Sequence, residues 1–199
     1  VGRSLDLLEG AAAIARRTGQ AGLELTVMTN LAGFCALLGR EAEMRRHLSE
    51  ARRAAAACRM EIHLAQCDLV EAEHGLEGGR EAEARDLLRR AREGFSVLGV
   101  RERLVEVLLV EGLLESRLGD RGRLAAVVEE LERGDVPVHL QDRLCFLRSE
   151  LAGAVEEKIE LLWEAHRRSR DWNFDAVVLA RLSQLYEGQG RGLMARAAA

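Results

Sequence analysis

Proline occurs once in this 199-residue chain, at Pro137, and aromatic residues make up only 4% of it. β-branched strand formers are sparse too, while Ala, Leu, Glu and Arg dominate, residues that lose little side-chain entropy in a helix. These shortages predict an all-α fold. Lysine is confined to Lys158, so the positive charge is almost all arginine, a bias that reads as the mark of a high-GC coding sequence rather than of guanidinium chemistry. Excess positive charge is missing as well: a formal charge of −4 and a pI near 5.8 exclude a general phosphate-backbone binder, and with it direct nucleic-acid contact. Cysteine is thin. Cys35, Cys58, Cys67 and Cys145 lie far apart with no CxxC pair, which excludes a disulfide-stapled scaffold and predicts a reducing, cytoplasmic setting. No apolar run approaches the roughly 20 residues that span a bilayer, and VGRSLDLLEG at the start has no basic segment followed by a hydrophobic stretch, so neither a membrane span nor an export signal is expected. What remains, 48% hydrophobic and 31% charged, suffices to bury a core as one or at most two domains.

With proline so rare, helix breaks must come from elsewhere. In EGLLESRLGDRGRLAAVVEEL, residues 111–131, two helical runs are parted only by Leu118-Gly119-Asp120. The same break recurs as Leu38-Gly39-Arg40, Gly78-Gly79-Arg80 and Gln189-Gly190-Arg191. Gly39, Gly79 and Gly119 are 40 residues apart, and the 71 residues from Gly119 to Gly190 hold two shorter units with a degenerate break near Gly153, a period of about 36–40. Glycine closes a helix in the left-handed conformation, and a very short connection then starts the next helix. Breaks such as Thr18-Gly19-Gln20 and Leu98-Gly99-Val100 end the second helix of a unit. Around them apolar residues recur at three- and four-residue spacing, as in Leu104, Leu108, Leu114 and Leu118, then Leu124, Val127, Val128 and Leu131.

Helices are therefore expected near 4–18, 21–38, 41–57, 61–78, 81–98, 101–118, 121–133, 139–152, 155–170 and 173–188. A helical hairpin cannot bury its apolar stripe alone. The expected architecture is a single domain over 1–199, a right-handed, curved solenoid of stacked antiparallel hairpins: a partial unit at 1–20, then units at about 21–60, 61–100, 101–137, 138–171 and 172–199. Its ends look like those of a segment cut from a longer chain. Exposed terminal faces would then favour self-association.

Leu182-Ser183, Tyr186, Gly190-Arg191 and Ala195 carry a family resemblance: they are similar to the tetratricopeptide-repeat pattern of leucine and small residue, tyrosine, glycine at the break, then alanine. Gly112 with Gly119-Asp120, and Gly79 with Ala84, Leu88 and Ala91, repeat the spacing. Glu115 and Gly75 stand where the pattern has an aromatic, and Asp68 where it has a large apolar residue. The 40-residue period, with segments such as ARRAAAACRM and AREGFSVLGV, resembles the variant repeats of large bacterial LuxR-type and maltose-regulon activators.

Catalytic constellations are hard to find. His63, Cys67, Glu71 and His74, at offsets of 4, 8 and 11, share one helix face on which imidazole and thiolate could hold zinc. One helix seldom supplies a full ligand set, and Cys67 reads better as a small apolar filler, so no metal or other cofactor is expected. GLEGGREAEA, residues 75–84, lacks the Lys-Ser or Lys-Thr of a phosphate-binding loop and follows a helix instead of a strand. No G-x-S-x-G elbow exists. Trp163, Trp172, Phe174 and Tyr186 read as core of the last quarter.

The expected role is thus a non-catalytic scaffold that binds a protein or peptide in the groove lined by the first helix of each unit. The resemblance puts Thr26, Thr29, Asn30 and Gly33 of the first full unit on that face, then Gln66, Leu69, Glu73 and Glu77, then Glu106, Leu109, Leu113 and Arg117. A segment with apolar and basic character would suit these leucines and acids. The carboxylate clamp of chaperone-binding members is absent apart from Asn30. The other readings are an effector-sensing segment of a larger bacterial transcription regulator and, with the His/Cys/Glu helix as its only support, a metal-dependent enzyme.

Overall fold

The computed structural model describes residues 2–190, with side chains for all of these except residues 2 and 172. Ten α-helices follow one another with no strand among the described residues: α1 (Gly2–Arg17), α2 (Ala21–Leu37), α3 (Glu41–Cys58), α4 (Glu61–Glu77), α5 (Glu81–Leu98), α6 (Arg101–Leu118), α7 (Arg121–Arg133), α8 (Gln141–Leu151), α9 (Val155–Arg168) and α10 (Trp172–Gly188). Every expected helix is present within a few residues of its expected ends. The chief shift is at α8, where Pro137 leads into a short 3-10 turn over Val138–Leu140 and delays the α-helix to residue 141. Arg191 and Ala195 of the repeat match lie outside the described residues.

The breaks are more regular than the glycines alone imply. Residues 19, 39, 59, 79, 99 and 119 all have positive φ, between 53° and 72°, at a strict 20-residue interval. In each the positive-φ residue donates its amide three residues back and its successor donates five back. At the second break these bonds run from Gly39 to the Ala36 carbonyl (2.9 Å) and from Arg40 to that of Cys35 (2.8 Å). Both satisfy carbonyls that the helix end would leave orphaned. The successor then serves as the N-cap of the next helix, its own carbonyl accepting the first bond there, as Arg40 accepts from Met44 at 3.0 Å. Only Asp120 among the described caps of this series adds a side-chain bond, to the Arg123 amide at 3.0 Å.

Five of the six positions are glycine; the third is Arg59, at φ 53°. An L-residue there crowds its Cβ against the backbone, so Arg59→Gly is expected to stabilise the fold by about 0.5–1 kcal/mol, less than the full left-handed penalty because glycine also loosens the unfolded chain. A urea midpoint that falls in the variant would show that the Arg59 side chain contributes more than the strain removes.

After Gly119 the interval lapses. Gly153 is exposed and outside the positive-φ set, and the break there is made by extended Ala152 (φ −57°, ψ 144°) and Ala154 (φ −86°, ψ 143°). Arg121 closes α8 instead, donating to the Glu150 carbonyl at 3.0 Å and the Leu151 carbonyl at 2.6 Å. Asp171 starts α10 by accepting from the Asn173 amide at 3.0 Å.

The chain divides into two compact units, residues 1–107 and 108–199, the boundary falling inside α6. In the first, α1 to α5 pack each against the next and α2 also packs against α4. Its core joins Leu25, Met28, Met44, Leu48, Leu88 and Phe95 to alanines 51, 55, 72 and 91, none of which has exposed surface, so the backbones approach closely. A Cβ added at Gly94 on α5 would stand 2.9 Å from that of Ala65 on α4. In the second unit α7 packs on α8, α8 on α9 and α9 on α10, around Leu124, Leu131, Leu147, Leu162, Val178 and Leu182. There a Cβ at Gly112 would lie only 2.4 Å from Leu147 Cδ1.

Candidate functional site

Because α2 packs against α1, α3 and α4 at once, most of its circumference is enclosed, and it needs apolar residues nearly all round. Leu25, Val27, Met28, Leu31, Ala32 and Cys35 are buried. One row stays open: Leu23, Thr26, Asn30, Phe34 and Leu37, which fall within an arc of about 80° at ~100° per residue. Leu23, Phe34 and Leu37 keep 48%, 38% and 57% of their surface in water. Forty residues on, the equivalent row of α4 is His63, Gln66, Val70, His74 and Glu77, so an apolar row in one helix becomes polar and acidic in the other.

The expected groove residues divide on this geometry. Thr26, Asn30, Glu77 and Arg117 are exposed, and Gly33, Gln66, Glu73, Glu106 and Leu113 are half-buried. Thr29, Leu69 and Leu109 share one register position and keep only 3%, 2% and 0% of their surface, which places them in the interior. The Thr29 hydroxyl is spent on the helix itself, donating to the carbonyls of Thr26 (2.9 Å) and Leu25 (3.2 Å). Glu106 is held by Arg103 at 2.6 Å. Leu23, Phe34 and Leu37 were missing from the expected set because an all-round apolar helix gives no periodic signal of which side its neighbours leave open.

Asp68 and Glu115, two of the three departures from the repeat pattern, are engaged in ion pairs. Asp68 accepts from Arg52 of α3 at 2.8 Å and from Arg90 of α5 at 3.0 Å, and Arg52 also reaches Glu71 at 2.5 Å. Burial draws the Arg52 guanidinium's affinity for its proton down, but the carboxylates more than offset this and it rises above its ordinary value. Glu115, buried in the second unit, stands 4.0 Å from Arg123.

The His63, Cys67, Glu71 and His74 set is not assembled as a metal site: no group of three His, Cys, Asp or Glu among the described residues could hold an ion. Glu71 is engaged with Arg52, and burial of Cys67 pushes its thiol up to about 11, against the thiolate that zinc needs. Desolvation lowers the His63 imidazole. His74 turns Nε2 toward Glu41 at 3.8 Å.

The aromatic residues of the second unit join α8, α9 and α10. Phe146 and Phe174 meet edge to face at 5.6 Å, and the half-buried Trp163 donates its indole N–H to the Tyr186 hydroxyl at 2.9 Å. His166 Nδ1 lies 2.6 Å from Asp175 with the Trp163 ring edge-on at 5.4 Å. The Trp172 side chain lies outside the described residues.

Compared with protein-family models, curated proteins and solved structures, the chain matches none. The described residues stand as an all-helical chain whose consecutive helices pack, compatible with a helical repeat. No helix among them is long and apolar enough to cross a membrane.

Proposed function

We propose that this chain is a non-catalytic, protein- or peptide-binding scaffold of tetratricopeptide-like repeats, in which the open rows of the first helices receive a polypeptide segment. The observation that carries the reading is the exposed row on α2, three large apolar side chains interleaved with Thr26 and Asn30. Isolated exposed leucines are ordinary, but an ordered row that mixes apolar area with hydrogen-bonding groups is the composition of a recognition surface. Helix-borne rows of this kind receive a partner helix through anchors at three- and four-residue spacing. The acids of α4, Glu73 and Glu77, favour basic character at one side of that partner.

Selection of random displayed peptides against the purified chain tests the reading. Selected peptides are expected to lose about tenfold or more in affinity against Phe34→Ala/Leu37→Ala, since truncating central apolar anchors costs more than 1 kcal/mol each. They should keep it against Val97→Ala, an exposed site on α5. Peptides indifferent to the α2 pair would remove α2 from the binding surface, and with it this reading.

A further inference from the structure

The second unit carries a trough that none of the sequence expectations includes. Val128 of α7, Leu151 at the end of α8, Ala152 and Leu161 of α9 form the floor of a shallow depression of about 400 Å³. It runs through Glu157 and Leu161 into a second depression of about 460 Å³ along α9, where Trp163 continues the apolar floor. The walls are acidic: Glu129 and Glu132 of α7 face one stretch, and Glu157, Glu160 and Glu164 line the other. Three of these five carboxylates are already paired, Glu129 with Arg133 at 2.9 Å, Glu132 with Arg148 at 2.8 Å and Glu164 with Arg168 at 2.6 Å, so Glu157 and Glu160 carry the rim's unbalanced charge, with Arg167 beside them. Glu157 and Glu160 make no ion pair with a described residue.

Both depressions are open, whereas small molecules favour pockets that enclose most of their surface. An apolar floor between carboxylate walls repels phosphate polymers and anionic lipid surfaces. It attracts a polypeptide whose apolar side chains lie between arginines or lysines, because long basic side chains lay their methylene stems on apolar surface while their charged heads reach the rim. We propose that this trough is a second binding site, distinct from the α2 row, for a basic amphipathic helix of a partner protein.

Two synthetic peptides of about 14 residues, roughly four helical turns, serve as probes. One has leucine at i, i+3, i+4 and i+7 with arginine elsewhere, and the other has glutamate in place of every arginine. Fluorescence anisotropy with the full chain is expected to show saturable binding of the arginine peptide only. Glu157→Lys/Glu160→Lys, at two exposed sites that need not disturb the core, should weaken it about tenfold or more, because the swap turns rim attraction into repulsion. Val97→Ala, an exposed site on α5 outside both surfaces, should leave it unchanged. Chemical-shift changes on titration should centre on residues 125–132, 148–152 and 157–167. Any of three results overturns the proposal: equal binding of both peptides, unchanged affinity in the double lysine variant, or chemical-shift changes centred outside these residues. Sedimentation showing a dimer that the double lysine variant dissolves would also overturn it, since a second copy would then be the occupant.

Discussion

Phe95→Ala is expected to lower the unfolding free energy by about 3–5 kcal/mol, read as a shift in urea midpoint by far-UV circular dichroism. Phe95 is fully buried in the first unit and lies one turn before the end of α5. Its carbonyl accepts the closing bond from the Val100 amide at 3.1 Å, so the backbone is fixed where the ring must fit. The same place in the neighbouring helices is filled by Ala15, Cys35, Ala55, Gly75 and Glu115. Among these six helix ends only this one is filled by a large ring, and a close-packed interior cannot collapse fully into the void that alanine would leave. Phe95→Leu, which keeps most of the volume, is expected to cost under about 1.5 kcal/mol. If the alanine variant lost less than the leucine variant, the ring would be strained in place and the packing argument wrong.

The second large effect is expected at the Gly112–Leu147 contact. Leu147 has no exposed surface, and the Cα of Gly112 takes its place against it; the equivalent positions in α2 and α4 are Ala32 and Ala72. Leu147→Ala should cost about 2–5 kcal/mol through the cavity it opens. Gly112→Ala gains about 1 kcal/mol of helix propensity but drives a methyl into Leu147, an overpacking cost of about 1–3 kcal/mol that leaves the variant level with or below the parent. Combining the two should relieve the clash. The double variant is therefore expected to be more stable than the sum of the singles by about 1–2 kcal/mol, a coupling that strict additivity in the double-mutant cycle would refute.

Helices and their ends were legible wherever a break uses a residue with positive φ, since glycine marks six of the seven such places among the described residues. Arg59 is the exception, yet the gap between the helices expected at 41–57 and 61–78 already fell on it. The 20-residue spacing of Gly19 from Gly39 and of Gly79 from Gly99 points to a left-handed residue at 59, which the 40-residue period, comparing only breaks of one kind, does not. The breaks near Ala152 and Ser169 use extended residues, and Gly153 lies outside the positive-φ set; Arg121 closes α8 and Asp171 starts α10, roles that depend on partners sequence spacing does not reveal. The face of each helix was harder. Thr29 and Leu69 look as eligible for a surface as Asn30 or Leu23 in a helix packed on three sides, and only the placement of the neighbours separates them. The acidic trough gathers residues from three helices, and no spacing in the sequence marks its carboxylates as one surface.

The joints at residues 19, 39, 59, 79 and 99 share one residue between the cap of one helix and the start of the next. Such a chain has no slack. Pulled from its ends, a protein with loops first straightens them at little cost, whereas here the earliest extension must rupture helix-end hydrogen bonds. The first unit should therefore resist small forces stiffly and yield helix by helix, as a row of rods on tight hinges does.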